Sequence, residues 1–483
     1  MPAFDGTSIS PFDTDNAWSQ SALDVAPRGR LDQSIEFPTP DQNLDPFFAP
    51  EPGTESPSSG LRDGYRNIQQ NNVPGSSSTV IADQDSFSYF LEKVEFPFIS
   101  PFDGGNWTLT KRYMAKLSLR STAVTTAISA VEALYEAEEH GQETTNAIAL
   151  YYLAKAELAR MLRLPLPDLE LTFVAISLLS CFEAVSQEDT VPITMKGEGP
   201  FIIKLERWIQ ERPWPPLVCR IEAWLKLLHV RALHLGGGGF LSAKVSHLLS
   251  HETVPVPSLI FLDQEPPPSS ILYDSLTSPL FEFYIQTQQI GTAICSMNRH
   301  HRSRGTLTDE NEVDHTASRI RKQLLLLHQQ APSLLRLSRE ELQSVVPESL
   351  LDQLSMLIDL CNAAYQIEIV DLGRAHGKWL TPTREAQEAM QQVRRIVDEN
   401  VSRNNDTVNP GFIWPIFFYA LEADREGGTW AVQMLQRVRK PTYHTDFMAR
   451  FLDGVLELQR RIVERVDCRY FCTQKFGIAP PYI

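Results

Sequence analysis

The chain has 483 residues, 42% hydrophobic and 22% charged, a globular composition with length for two or three average domains or one large helical one. Its net charge of −16 excludes a general basic field for nucleic acid, so any DNA contact rests on a local patch or a partner. Of the six cysteines, Cys181, Cys219, Cys295, Cys361, Cys468 and Cys472, only the last two lie close together, and no second pair accompanies them, so no zinc module is legible in their spacing.

Residues 1–85 are read as a disordered acidic tail, rich in proline and serine. They carry ten prolines, and residues 1–90 hold thirteen Asp and Glu against four Arg and no Lys. Such a segment buries too little apolar surface to offset its ordering entropy. Acidic residues beside aromatics, as in DNAW and DPFF, are also the composition of an activation segment. The start, MPAFDGTSISPFDTD, has neither a secretory nor a mitochondrial pattern, so no leader is expected.

From residue 86 the apolar positions recur at three- and four-residue intervals, and residues 86–483 are read as one all-α, multi-helix domain. SYFLEKVEF reads as a short helix, PFISPFDGGNW as a loop broken by proline and glycine, and the stretch from Leu109 to His140 as one long helix closed by Gly141. A further helix opens on Asp168 as its cap and carries LTFVAISLLSCF, a twelve-residue apolar run too short to span a bilayer. Cys181 and Cys361 fall in apolar helical patterns and read as buried thiols, which fits a reducing compartment. Helices continue through residues 200–250, a helix resumes at 280–295, and RHHRSRGTLTDENEVDHT (299–316) reads as an exposed charged loop.

The tests for chemistry return no catalytic residue and no cofactor. Gly236 to Gly239 follow a helix and lack the GxxxxGK[ST] of a phosphate loop, so they read as an interhelical turn. There is no GxSxG elbow and no HExxH helix. His247 and His251 sit one helical turn apart beside Glu252, but the chain suggests no third metal ligand, and His229 and His234 read as local hydrogen-bonding groups. Arg299, Arg302 and Arg304 form a short basic cluster, the one candidate for a nuclear import signal or basic patch.

Four blocks, taken in order, resemble the regulatory domain of fungal-specific transcription factors. They are FSYFLEKVEF…VEALYEA; ALYYLAKAEL…LLSCFEAVS, with Leu178, Leu179, Cys181, Phe182 and Glu183; LVCRIEAWLKLLHVRALHLGGGGFLS; and FIWPIFFYALEADREGGTW, with Trp414, Pro415, Glu422, Asp424 and Trp430. They cover residues 86–435. In the last block Pro415 suits a first helical turn, the apolar run reads as core, and Gly427 and Gly428 are expected to break the helix before the next begins. The resemblance implies a non-enzymatic nuclear transcription regulator of a metabolic or secondary-metabolite gene set. The family's DNA-reading zinc cluster finds no counterpart, since no cysteine precedes Cys181. Promoter DNA is therefore expected to be reached through a DNA-binding partner, with the transcription machinery and a second copy of the chain as further partners. The competing expectation is a helical scaffold outside transcription.

Overall fold

The computed structural model describes residues 87–96, 100–186, 191–196, 199–236, 239–250, 257–262, 266–298, 304–377, 381–438 and 440–480. The acidic tail lies outside them. Among the described residues there are seventeen α-helices and no strand, so the all-α reading holds. No described helix is long and apolar enough to cross a membrane.

Helices α1 (Ser88–Lys93), α2 (Ser100–Ser118), α3 (Thr122–His140), α4 (Thr145–Leu162) and α5 (Leu169–Val185) come first. α6 (Pro200–Gln210), α7 (Pro216–His234), α8 (Ala243–Ser250) and α9 (Pro268–Cys295) follow. Then come α10 (Leu307–Gln329), α11 (Arg339–Val345), α12 (Glu348–His376) and α13 (Arg384–Arg403). The last four are α14 (Ile413–Glu422), α15 (Arg425–Gln436), α16 (Thr445–Ile462) and α17 (Cys468–Phe476). Packing runs largely in sequence: α3 against α4 and α5, α5 against α7, α7 against α9, and α9 against α12. α12 also meets α13 and α14, and α14 to α16 close the carboxy-terminal end. α5, α7 and α12 bury residues around most of their circumference, as helices enclosed on several sides must.

Local chemistry sets the boundaries. The long helix expected from Leu109 to His140 is two, because Ser121 caps a new start by accepting the Val124 amide at 3.4 Å. Gly141 ends α3 at φ +62°, as expected. Asp168 caps α5 through the Leu171 amide at 3.0 Å. The proline and glycine loop is shorter than expected, since α2 already begins at Ser100 and takes Pro101 into its first turn, where the missing amide is not needed. The expected loop at 299–316 is also corrected. Thr306 and Asp309 form a reciprocal capping box, and α10 runs from Leu307.

The tryptophan, proline and double-glycine stretch is interior: every residue of α14 is buried. Its break falls at Ala423 and Asp424, not at the glycines. Asp424 caps α15 by accepting the Gly427 amide at 2.8 Å, and both glycines lie in the first turn of the new helix. They are there for close approach. A Cβ on Gly427 would sit 2.8 Å from the Ala423 Cβ and the Tyr419 hydroxyl, and one on Gly428 2.9 Å from the Leu456 Cδ1. Trp430 packs edge-on to Tyr419 with ring centroids 4.9 Å apart and donates to Asp398 at 2.9 Å, fastening the α14–α15 hairpin to α13.

Candidate functional site

The helices converge on a line of polar groups, buried except for the half-buried Cys295, where α7, α9, α12 and α14 meet. α7 contributes Arg231 and His234, α9 contributes Gln288 and Cys295, and α12 contributes Glu368, Asp371 and Arg374, three charges at three-residue spacing on a face otherwise buried among apolar side chains. α14 supplies the wall. Trp414 lies edge-on to the His234 ring at 4.5 Å, with the Arg231 guanidinium over its face at 4.4 Å.

One end of the line is an ionic clamp. Glu422, on the last residue of α14, accepts Arg374 Nη1 at 2.8 Å and Arg465 Nε and Nη2 at 3.0 and 2.5 Å. Arg465 Nη1 goes on to the Arg374 and Gly377 carbonyls at 2.9 and 2.6 Å, and Gln459 donates to the Leu421 carbonyl at 3.0 Å. The clamp thereby ties the end of α14 to α12 and to the segment after α16. All four side chains are buried, so every hydrogen bond acts in a low-dielectric setting.

The other end is a mixed cluster of nitrogen, sulfur and oxygen. His234 Nδ1 is turned to the Val230 carbonyl at 2.9 Å, which fixes that nitrogen as the N–H donor and directs Nε2 inward. Nε2 faces Glu368 Oε2 at 3.4 Å and Asp371 Oδ2 at 3.5 Å. The ligand atoms of His234, Cys295 and Asp371 all lie within 4.8 Å of one another. Gln288 Nε2 donates to Glu368 Oε1 at 3.1 Å and leaves the other carboxylate oxygen to His234. Burial opposes a charged imidazole, but Cys295 and Glu368 outweigh it and hold the His234 pKa well above its ordinary value. Burial raises the Cys295 thiol despite His234, and lifts Asp371 to about 6.

This arrangement is not that of a nucleophilic triad. In a triad one imidazole nitrogen takes the nucleophile's proton while a carboxylate orients the other. Here both carboxylates face Nε2, the Cys295 thiol bonds the same ring, and Nδ1 is held by a backbone carbonyl. The adjoining cavity, lined by Leu235, Asn298, Arg374, Phe418 and Cys468 among others, offers about 20 Å³ to the centre of a water-sized body. That is room for one water or one small ion. A wider cleft of about 150 Å³ lies between α10 and α12, beside the Arg321–Glu385 ion pair.

Of the residues singled out from the sequence, Arg299, Arg302 and His251 lie outside the described residues, as do Gly237 and Gly238. Arg304 is bound to backbone: it donates to the Met297 and His376 carbonyls at 2.6 and 2.8 Å and to the Ala375 carbonyl, capping the ends of α9 and α12. His229 serves the glycine turn. Its Nδ1 accepts the Phe240 and Leu241 amides at 3.0 and 3.1 Å, and Gly239, at φ +79°, has no Cβ to collide with the ring. His234 makes the local bond expected of it, but it also faces Glu368 and Asp371, which spacing does not reveal. Glu183, of the LL-C-FE pattern, is buried and accepts the Tyr151 hydroxyl at 2.7 Å. In comparisons with known proteins, no family model, no curated protein and no solved structure matches this chain.

Proposed function

We propose that this chain is a transcription regulator of the fungal-specific kind, acting in the nucleus through a DNA-binding partner on a metabolic or secondary-metabolite gene set. The observation that carries the proposal is the ordered series of four blocks resembling that family's regulatory domain, ending in Trp414, Pro415, Glu422, Asp424 and Trp430. Two features are compatible with it. Glu422 and Trp414, two residues of the fourth block, are buried at junctions, Glu422 tying α14 to α12 and to the segment after α16 and Trp414 packing against α7. The acidic, aromatic-bearing head has the composition of an activation segment.

In this reading the helical body is a rigid platform for association, and its buried charges hold helix ends in register instead of performing chemistry. Deletion of the gene, followed by transcript sequencing under several growth conditions, tests the reading. A coherent set of genes changing together is the expected result. Transcripts that change in no coherent set under any condition would contradict it and favour a scaffold outside transcription.

A further inference from the structure

The mixed cluster at the junction of α7, α9 and α12 has the donor set, spacing and volume of a site for one metal ion. We propose that His234 Nε2, Cys295 Sγ and the Asp371 carboxylate bind a single divalent transition ion of the zinc type, with Glu368 beside the imidazole as a neighbouring carboxylate. The proposal is independent of the transcriptional reading, because it concerns what holds these helices together whatever the body does.

Distance is the first argument. The imidazole is hydrogen-bonded to the Cys295 thiol, and neither carboxylate is drawn in to about 2.8 Å, the length of a charge-assisted hydrogen bond. Instead Nε2 stands 3.4 Å from Glu368 and 3.5 Å from Asp371. The His234–Asp371 separation matches the ligand-to-ligand edge of about 3.3–3.7 Å in a tetrahedron built on metal bonds of about 2.0–2.3 Å. The Cys295 sulfur lies within 4.8 Å of both ligand atoms.

Chemistry is the second. One imidazole, one thiol and one carboxylate form a donor set that suits zinc, and calcium or magnesium would call for oxygen throughout. The His234 Nδ1–H bond to the Val230 carbonyl is the outer-sphere contact that orients a metal-bound imidazole. Gln288 orients the neighbouring Glu368, and its own Oε1 is buried without a hydrogen-bond partner.

Space is the third. Position 291 on α9 is glycine, and a Cβ there would stand 2.5 Å from His234 Cε1 and 2.8 Å from both His234 Nε2 and Glu368 Oε2. The helix surface is thus cut away where imidazole and carboxylate meet. The cavity beside them admits one small body. Because the three ligands come from the ends of α7 and α9 and from within α12, an ion here would tie those helices together, and its binding energy would add to folding stability.

The test uses the purified full chain. Metal content by mass spectrometry should be about one zinc per chain, and exchange for Co²⁺ should give a thiolate-to-cobalt charge-transfer band with the visible bands of tetrahedral cobalt. Cys295→Ser should abolish the charge-transfer band, and His234→Gln should reduce the bound metal at least tenfold. Metal retained in full by both variants, or a cobalt adduct without thiolate absorption, overturns the assignment. Should either variant fail to fold, alkylation of the wild-type protein decides. Zinc should protect Cys295 from iodoacetamide and a chelator should restore its reaction, whereas equal alkylation with and without zinc overturns the proposal.

Discussion

Glu422 and Arg465 meet in a two-pronged ion pair, with Nη2 to Oε2 at 2.5 Å and Nε to Oε1 at 3.0 Å, while Arg374 shares the first carboxylate oxygen at 2.8 Å. One buried carboxylate therefore serves two buried guanidinium groups. Removing it leaves both with neutral hydrogen-bond acceptors only. Glu422→Ala is expected to destabilise the helical body by about 3–5 kcal/mol, measured by urea denaturation, because the loss is that of uncompensated buried charge and not of a surface contact. Glu422→Gln, which keeps shape and acceptor but loses charge, should fall between. A loss below about 1 kcal/mol for Glu422→Ala would place the clamp among ion pairs of no structural consequence.

Glu183 sets a pH dependence of opposite sign to that of most acid groups. Burial, partly opposed by the Tyr151 hydrogen bond and by Lys155, raises its pKa from 4.5 to about 7. Above 4.5 the unfolded chain gives up a proton that the folded chain keeps, so this group's contribution to stability falls as pH rises to about 7, by up to about 3 kcal/mol, and is constant beyond. Glu183→Gln should remove that slope and be the more stable protein at about pH 8. Melting temperatures of the two proteins over this range check it, and parallel curves would contradict it.

His229 works the other way. Its Nδ1 must stay unprotonated to accept two backbone amides, and burial lowers its pKa from 6.5 to about 4. The unfolded chain takes up a proton that the folded chain refuses, so the contribution to stability is lost as pH falls from about 6.5 to about 4, again by about 3 kcal/mol. Imidazole nitrogen shifts in NMR should show His229 neutral at about pH 5, between the two values. His229→Ala leaves the Phe240 and Leu241 amides without their acceptor and should cost about 2 kcal/mol or more at neutral pH.

Gly291 gives a test of sign. Replacing a glycine inside a helix by alanine ordinarily stabilises by about 1 kcal/mol. At position 291 the new methyl would meet His234 and Glu368 well inside van der Waals contact, and both are buried and held by other bonds. Gly291→Ala is expected to lower the melting temperature. A rise would show that the imidazole and carboxylate move aside freely.

The sequence-level reading succeeds where the physics is local. Helical periodicity, the Asp168 cap and the Gly141 stop depend on neighbours within a turn or two, and all three appear as expected. The Thr306–Asp309 capping box is equally local, but a dense run of charges masks it. The glycines at 427 and 428 mislead because glycine serves two purposes, breaking helices and letting side chains approach them, and only tertiary contact tells which applies. The polar cluster is the least legible part. His234 and Glu368 are 134 residues apart, so no motif joins them. The available sign is Glu368, Asp371 and Arg374 recurring every third residue along an apolar helix, where solvated charges have no place.

The resemblance to a fungal transcription regulator is tested most directly by chromatin immunoprecipitation of the tagged full chain, with the recovered DNA then offered to the purified protein. Enrichment at a discrete set of promoters is expected, with no direct binding of that DNA by the protein alone, the mark of a regulator brought to DNA by a partner. Absence of enrichment at any promoter would contradict a role in transcription, and tight direct binding would contradict the requirement for a partner.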